Sequence, residues 1–237
     1  MNFDTSGLNT QISAYMNTPE NSLKQHQREL LKLIKDNYPI APQNWLDIGC
    51  ADGQLGRELG LFWPQSQGRG VDTSGHLIGL AKKRGVDNVD FEVADAASLT
   101  PVGNGYDLVI ASGILSIWED FRVPLASWLS LLNQNGQLYV FGRFNSDPVD
   151  VIVRFRLKHQ DWEGGLTSYS VESIREYLGP LGFKCEFTPF ALESDLEKTH
   201  DPVKTYTVML VTGERLVLNG ANTVAEHYFA RIWRDEI

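Results

Sequence analysis

Two carboxylates flank a run of small residues in the stretch Asp47-Ile-Gly-Cys-Ala-Asp-Gly53. Gly49 and Gly53 have no Cβ, so the backbone there can adopt positive φ and can approach a ligand closely. Asp47 and Asp52 would repel a pyrophosphate and would attract an ammonium or a sulfonium group. The residue types therefore predict a binding site for a positively charged small molecule.

The spacing of the small residues separates two classes of cofactor. A dinucleotide site has glycines in the pattern G-x-G-x-x-G, whereas this chain has Ala51 at the second glycine position and Gln54 at the third. A NAD-dependent reductase would also carry a Tyr-x-x-x-Lys pair, which the sequence does not contain. These departures, together with the two carboxylates, favour S-adenosylmethionine (SAM) over NAD.

An acidic residue follows the turn at a distance typical of ribose binding. The stretch Gly68-Arg-Gly-Val-Asp72 is a predicted second strand, and Asp72 lies 19 residues after Gly53. In doubly wound folds, an acidic side chain about 20 residues beyond the glycine turn reaches the ribose hydroxyls. Asp72 is therefore predicted to bind a ribose, with an exposed surface aspartate as the alternative.

Polar residues also close the next two predicted strands. Val89, Phe91 and Val93 alternate in a third strand that leads to Asp95-Ala-Ala-Ser98, where a carboxylate could accept the exocyclic amine of adenine. Tyr106–Ser112 is a fourth strand, apolar enough to be buried on both faces.

Strand and helix alternate five times, the fifth strand being Gln137–Phe141. This alternation predicts an α/β fold with a doubly wound, mostly parallel sheet and right-handed crossovers. The ligand of such a sheet lies across the carboxyl ends of its strands. One site is therefore predicted to collect Asp47, Gly49, Asp72, Asp95 and Ser112.

These motifs together resemble the class I (Rossmann-like) SAM-dependent methyltransferases of the small-molecule type. The resemblance covers roughly residues 22–190, and its motifs occur in the order and at the spacing of the family. It implies a seven-stranded sheet whose last strand is antiparallel, completed by strands that begin near Phe183. It also implies SAM as the cofactor and S-adenosylhomocysteine (SAH) as the product.

The resemblance further assigns contacts to the cofactor, position by position. The methionine part of SAM is expected at Asp47, Gly49 and Cys50. The ribose hydroxyls are expected at Asp72, with Thr73 beside it.

On the adenine side, the resemblance assigns Asp95 and Ala96, and it places Ser112 on the path to the sulfonium. After the fourth strand many small-molecule members carry a His-His or similar pair, whereas this chain has Ile114-Leu-Ser-Ile-Trp118. A SAM-binding protein without catalysis, acting as a sensor or an assembly partner, is therefore the alternative to an enzyme.

The catalytic candidates are mainly histidines. Methyl transfer from a sulfonium is an in-line displacement that depends mostly on positioning, while a hydroxyl acceptor would also be helped by a general base. His26, within the apolar stripe of the predicted helix Asn21–Asn37, and His159 are the predicted catalytic residues, followed by Asp161 and Glu119. Each of them also fits an ordinary structural or surface role.

The acceptor is predicted to be a small molecule methylated on oxygen or nitrogen, such as a sugar or an intermediate of a secondary-metabolite or surface-glycan pathway. Arg143, Arg154 and Arg156 would suit an anionic acceptor, although three arginines on a solvated face is the commoner situation.

The predicted elements divide the chain into three parts. Residues 1–40 are predicted as N-terminal helices covering the cofactor site, and residues 41–144 as the SAM-binding core. Residues 145–237 are predicted as a lid insertion, a last helix and the strands that complete the sheet. This part includes a C-terminal hairpin at Tyr206–Leu218, and the closing stretch His227–Trp233 fits either a strand or a helix.

Composition narrows the class of protein. The 237 residues are 42% apolar and carry a net charge of −9, which disfavours a nucleic-acid partner. No apolar run is long enough for a membrane span and the first residues lack signal-peptide features, so a cytoplasmic monomer or homodimer is expected. Two cysteines are too few for a disulfide framework or a zinc site, so no metal is expected.

Overall fold

The structure, a computed structural model, describes residues 23–201 and 203–235. Over these residues, none of the helices is both long and apolar enough to cross a membrane. The helix predicted before residue 20 lies outside the described part of the chain. The helices are α1 (Gln25–Asn37), α2 (Gln54–Phe62), α3 (Gly75–Arg84), α4 (Arg122–Ser130) and α5 (Val171–Leu178). The strands are β1 (Asn44–Ile48), β2 (Gln67–Asp72), β3 (Val89–Val93), β4 (Tyr106–Ser112), β5 (Leu132–Asn145), β6 (Tyr169–Ser170), β7 (Phe183–Phe190), β8 (Tyr206–Met209), β9 (Arg215–Leu218) and β10 (His227–Arg234).

The central sheet has the strand order β3-β2-β1-β4-β5-β10-β7, and the two-residue β6 pairs with the end of β5. Neighbours from β3 to β5 pair in parallel, while β10 runs antiparallel to both β5 and β7. The predicted doubly wound, mostly parallel sheet with an antiparallel last strand is confirmed. That last strand is β10, which contains the stretch whose periodicity fitted either a helix or a strand.

Helices cover both faces of the sheet. On one face, α1, α2 and α3 pack against a buried cluster that includes Trp45 and Tyr139. On the other face, α4 and α5 pack against a cluster that includes Leu46 and Val140. Neighbouring strand residues point to opposite faces, so each buried strand contributes to both clusters. The carboxyl ends of the parallel strands and the loops after them are left along one edge.

The fifth strand is longer than the predicted Gln137–Phe141, because it spans Leu132–Asn145. Its last pair with β4 joins Phe141 to Ser112. Beyond that point β5 is held by β10 and β6. These partners lie far along the chain, so the pattern of β5 alone did not show that the strand continues past the edge of β4.

Two further parts of the chain lie outside the central sheet. Residues 146–168, called here the 146–168 segment, connect β5 to β6, and two isolated antiparallel bridges involve its residues. The predicted hairpin is formed by β8 and β9, which pair antiparallel.

Candidate functional site

The turn after β1 contains three left-handed backbone positions. Gly49, Ala51 and Gly53 have φ of 72°, 50° and 76°. A Cβ on Gly49 would lie 2.6 Å from Cγ2 of Ile114, so a larger residue would force this neighbour away. The Gly49 N–H donates to the Val71 carbonyl at 2.8 Å, which ties the turn to β2. The glycine-rich turn is therefore a tightly packed part of the sheet edge.

Asp72 shapes this turn from the end of β2. Its Oδ2 atom accepts the Ala51 N–H at 3.0 Å, and its Oδ1 atom accepts the Ser74 N–H at 2.9 Å. The first bond stabilises the left-handed backbone of Ala51, the residue that replaces the second glycine of the pattern. Each carboxylate oxygen has two lone pairs, so Asp72 can still accept a hydrogen bond from a ligand hydroxyl.

Asp52 is neutralised inside the protein. Its buried carboxylate forms an ion pair with Arg84 at the end of α3, and Gln54 Nε2 donates to the same oxygen at 3.2 Å. The prediction that Asp52 attracts a ligand cation is therefore wrong. Arg84 lies 32 positions away in the sequence, so the local motif did not show this pairing.

Asp47 is buried without such a partner. Its side chain is 2% exposed, and Oδ2 accepts no hydrogen bond from the described residues. Burial, and then the nearby Asp72 carboxylate, raise the pKa of Asp47 to about 7. A buried polar atom without a partner carries a cost in free energy. Oδ2 is therefore an atom at which a cationic donor from a ligand would be stabilised.

Cys50 lies buried in the same turn. Burial, and then the charge of Asp47, raise the pKa of its thiol well above the ordinary range. A thiol in this state is a poor nucleophile at neutral pH. Any contact of Cys50 with a ligand is therefore made by its backbone or by a neutral thiol.

The other predicted cofactor residues follow the same edge of the sheet. Thr73 and Asp95 are exposed, and Ala96 is half-buried with its carbonyl accepting the Trp128 Nε1–H at 3.2 Å. Ser112 is half-buried at the end of β4. Parallel pairing places these strand ends next to one another, while their contacts to SAM stay predictions.

The stretch Ile114–Trp118, where related enzymes often have a catalytic pair, connects β4 to later parts of the chain. Ser116 Oγ donates to the Gly165 carbonyl at 3.0 Å, and the Trp118 carbonyl accepts the Tyr169 hydroxyl. These bonds attach the end of the 146–168 segment and the start of β6 to the loop after β4. The stretch therefore has a structural role in this protein.

His26 lies against aromatic residues of β5 and β7. Its ring stacks on Phe141 with centroids 4.6 Å apart, and it meets Phe190 edge-on at 6.4 Å. Burial, followed by the charges of Lys24 and His227, lowers the pKa of His26 to about 3. A general base works best with a pKa near the operating pH. His26 is therefore better suited to a neutral contact than to proton abstraction.

The remaining catalytic candidates are exposed. His159 and Asp161 lie in the 146–168 segment, and His159 has a left-handed φ of 70°. Glu119 pairs with Arg154, and Arg156 stacks over an aromatic ring of its own segment at 5.1 Å. Among the described residues, no hydrogen bond or ion pair links His159 to the turn after β1.

Arg143 differs from these arginines because it is buried. Its Nη2 donates to Thr223 Oγ1 at 2.9 Å, and its Nε donates to Ser168 Oγ at 3.4 Å. It pairs across the β5–β10 ladder with His227, whose ring stacks on Phe141 at 5.7 Å. The end of β5 therefore places a buried guanidinium beside the aromatic group that holds His26.

Sequence reasoning missed Arg84, His227 and Thr223. Arg84 and Asp52 are 32 positions apart, and Thr223 and Arg143 are 80 positions apart. His227 acquires its place from the antiparallel register of β10. No local pattern in the sequence connects these residues, so only the assembled sheet shows them together.

Comparison with known proteins agrees with this geometry. A family described as a methyltransferase domain matches residues 22–186. This chain therefore belongs to that methyltransferase domain family, and the resemblance to class I SAM-dependent methyltransferases is confirmed.

Curated relatives match between about two fifths and four fifths of this chain. A trans-aconitate 2-methyltransferase of Methylobacterium radiotolerans is 27% identical over 161 residues, covering 67% of this chain and 61% of that protein. A malonyl-(acyl-carrier protein) O-methyltransferase of Halalkalibacterium halodurans is 31% identical over 111 residues, covering 45% of this chain and 41% of that protein. This chain spans 61–66% of the length of three trans-aconitate 2-methyltransferases that it matches, the Methylobacterium protein among them.

Solved structures share the fold at low identity. The plantazolicin methyltransferase BpumL, in complex with a substrate analog and SAH, has a TM-score of 0.63 at 14% identity, covering 98% of this chain and 93% of that one. DhpI, in complex with SAH, has a TM-score of 0.54 at 16% identity, covering 97% and 98%.

The residues of the turn fit the cofactor that the family implies. SAM carries an ammonium and a sulfonium, and the buried Asp47 Oδ2 lacks a donor among the described residues. A Cβ on Gly113, directly after β4, would meet no atom within 4 Å, so the space there is open. The site thus combines an acceptor for a cation with room at the strand ends.

Proposed function

We propose that this chain is a SAM-dependent methyltransferase that transfers a methyl group to an oxygen or nitrogen atom of a small molecule. The observation that carries the proposal is the buried Asp47 Oδ2, which has no hydrogen-bond donor within residues 23–201 and 203–235. It lies in a glycine-rich turn, beside Asp72 at the next strand end. Family membership supports the same activity. The cytoplasmic location and the monomeric or dimeric state stay predictions.

In this proposal Asp47, Gly49 and Cys50 hold the methionine part, and Asp72 with Thr73 holds the ribose. Bound there, SAM would supply a methyl group on a positively charged sulfur, which leaves as the neutral sulfide of SAH. The chain's own contribution is to fix the acceptor atom near that methyl group and to exclude water, because alignment accounts for most of the acceleration in such a displacement.

The remaining predicted contacts complete this arrangement. Asp95 and Ala96 would contact the adenine, and Ser112 would line the path to the sulfonium. His26 and His159 stay as proposed contacts to the acceptor. The low pKa of His26 favours a contact made by its neutral ring.

The acceptor class is open between two groups of small molecules. A sugar or a secondary-metabolite or surface-glycan intermediate is the acceptor expected from the sequence. The curated relatives are named for trans-aconitate and malonyl-(acyl-carrier protein), whose names denote carboxylate-bearing acceptors. The second name specifies methylation on oxygen, which supports an oxygen atom as the acceptor.

Calorimetry with SAM and SAH tests the cofactor part of this proposal. Asp72→Ala should raise the Kd for SAM about 30-fold, because the variant loses both a ligand hydrogen bond and the bond that shapes the turn at Ala51. Asp87→Ala, an exposed residue in the turn before β3, is the control and should bind as the wild type does. Equal affinities for the two variants would remove the ribose assignment.

Formation of SAH with a panel of small acceptors tests catalysis. Turnover with any acceptor supports the enzyme, and tight SAM binding without turnover across a broad panel supports the sensor instead.

A further inference from the structure

A cavity lies beyond the end of β5, where β5, β10 and the 146–168 segment meet. Its volume is about 220 Å³. This is smaller than a typical drug-sized pocket of about 300–1,000 Å³, so it suits a small acceptor. Aliphatic side chains and Phe144 form its apolar wall, and its polar lining consists of Arg143, Asn145, Ser168, Thr223 and Glu226.

Among the described residues that line the cavity, Arg143 is the only arginine or lysine, and it is 9% exposed. Among the described residues no carboxylate forms an ion pair with it. A guanidinium has five N–H donors. Two of those of Arg143 donate to Ser168 and Thr223, and the other three have no hydrogen-bond acceptor among the described residues. A buried charge is normally paired, so this group is set up for an anionic ligand.

The position of Arg143 is suited to the acceptor and not to the cofactor. Phe141 is the last β5 residue paired with β4, opposite Ser112. Arg143 lies two residues further along β5, on the same face as Phe141 and about 7 Å beyond it. It is therefore next to the strand end where the methyl group is expected, on the side of β10 and away from the acidic turn.

We infer that the acceptor is a carboxylic acid, bound as its carboxylate by Arg143 in this cavity, and that the product is a methyl ester. The inference rests on the proposed function and deepens it. The planar guanidinium matches a carboxylate with two parallel hydrogen bonds. An ionised carboxylate oxygen would form the new bond to the methyl carbon with its own lone pair, so no proton has to be removed. The bond between that carbon and the sulfur of SAM would break at the same time, and its electron pair would stay on sulfur, which leaves as neutral SAH.

The low pKa values of the two histidines at the site, His26 and His227, favour an acceptor that is already ionised. Burial lowers the pKa of both His26 and His227, to about 3 and about 4. Rings with such pKa values are weak bases, and an alcohol would need a stronger one. Glu226 is the one acid in the part of the cavity lining that the structure describes. Its Oε2 accepts the Ser146 N–H and the Tyr228 hydroxyl, so it is held by donors other than Arg143.

The test uses the full chain loaded with SAH and a set of acceptor probes. The carboxylate probes are trans-aconitate and malonate, and the matched neutral probes are their full methyl esters. Glucose and glucose 6-phosphate represent a neutral sugar and a phosphorylated one. Calorimetry measures binding of each probe, and SAH formation from SAM measures turnover.

The variants are Arg143→Gln, Arg143→Lys and the control Arg234→Gln. Arg234 is an exposed residue of β10 at the opposite edge of the sheet, paired with Phe183. Arg143→Gln should weaken carboxylate binding and lower kcat/KM about 30-fold or more, while the Kd for SAM stays within about twofold of wild type. Arg143→Lys keeps the positive charge but not the planar guanidinium, so its carboxylate affinity and kcat/KM should lie between those of the wild type and Arg143→Gln. Arg234→Gln should match the wild type in both.

Each outcome decides the inference. The inference is supported if the wild type prefers the carboxylate probes to their esters and Arg143→Gln loses this preference. It is overturned if Arg143→Gln and Arg143→Lys bind the carboxylates with wild-type affinity. It is also overturned if the SAH-loaded protein binds no carboxylate probe, or if only glucose or glucose 6-phosphate gives SAH. Both results leave the proposed function intact. Failure of the wild type to bind SAM would overturn the proposed function itself. Circular dichroism melting checks that the variants are folded.

Discussion

The two halves of the sheet carry opposite charges at the site. On the side of β1 and β2, the buried group is the Asp47 carboxylate, whose Oδ2 has no hydrogen-bond partner in the described part of the chain. On the side of β5 and β10, the buried charge without a counterion among the described residues is the Arg143 guanidinium. The first half is suited to a cationic donor and the second to an anionic acceptor, so the two ligands are distinguished by charge before any shape complementarity is considered.

The two halves also differ in how they are built. The acidic half comes from residues that directly follow their strands, within one short motif for each strand. The basic half is assembled from β5, the 146–168 segment and residues just before β10. A local motif can be recognised in a sequence, whereas a cavity formed by three distant segments cannot.

The first prediction separates the carboxylate of the acidic half that is paired within the protein, Asp52, from the one that is available to a ligand, Asp47. Arg84→Met leaves the buried Asp52 without its ion-pair partner and should lower the free energy of unfolding by about 3 kcal/mol, measured by urea denaturation. The control is Arg57→Met, which breaks a more exposed pair with Glu58 and should cost less than about 1 kcal/mol. Addition of Asp52→Asn should recover part of the loss. Equal costs for the two arginine variants would contradict a structural role for Asp52.

The second prediction concerns the pH dependence caused by Asp47. Because the folded-state pKa is raised to about 7, the folded protein holds this proton more tightly than the unfolded chain does. The contribution of Asp47 to stability therefore falls as pH rises from about 4 to about 7 and is constant above that. Asp47→Asn should remove this decline, so the ligand-free variant should gain roughly 2–4 kcal/mol relative to wild type across that range.

The same variant should bind SAM more weakly, because the neutral amide does not attract the ammonium. Urea denaturation at a series of pH values and calorimetry with SAM measure the two effects. A stability difference between variant and wild type that does not change with pH would contradict the burial of an unpaired carboxylate.

The smallest expected effect is on stability and concerns His26, which lies where the two halves of the sheet meet. His26→Ala removes the stacking contact with Phe141 and should cost about 1–2 kcal/mol, with cooperative melting retained and turnover lowered. His26→Phe should restore most of the stability because it keeps an aromatic ring on Phe141, but not the turnover. A variant that no longer melts cooperatively would show that His26 is needed chiefly for the fold.

Much of the architecture was predictable from periodicity and strand-end chemistry. The mostly parallel, doubly wound sheet and the hairpin near residue 210 agree with the sequence patterns, and the antiparallel last strand agrees with what the family resemblance implied. The exception was β5, whose extension to Asn145 depends on pairing with β10 and β6. The alternative assignment of β10 as a helix failed because its two sheet neighbours, not its own periodicity, determine its conformation.

By itself, the sequence determined the fold class and the edge of the sheet where a cofactor would bind. It could do so because glycines, strand ends and the acidic residues after them are local features, set within a few positions of one another. Only the tertiary structure decided which aspartate is available and which arginine is buried. Pairing and burial depend on residues 32 and 80 positions away, and such distances leave no periodic trace in a single chain.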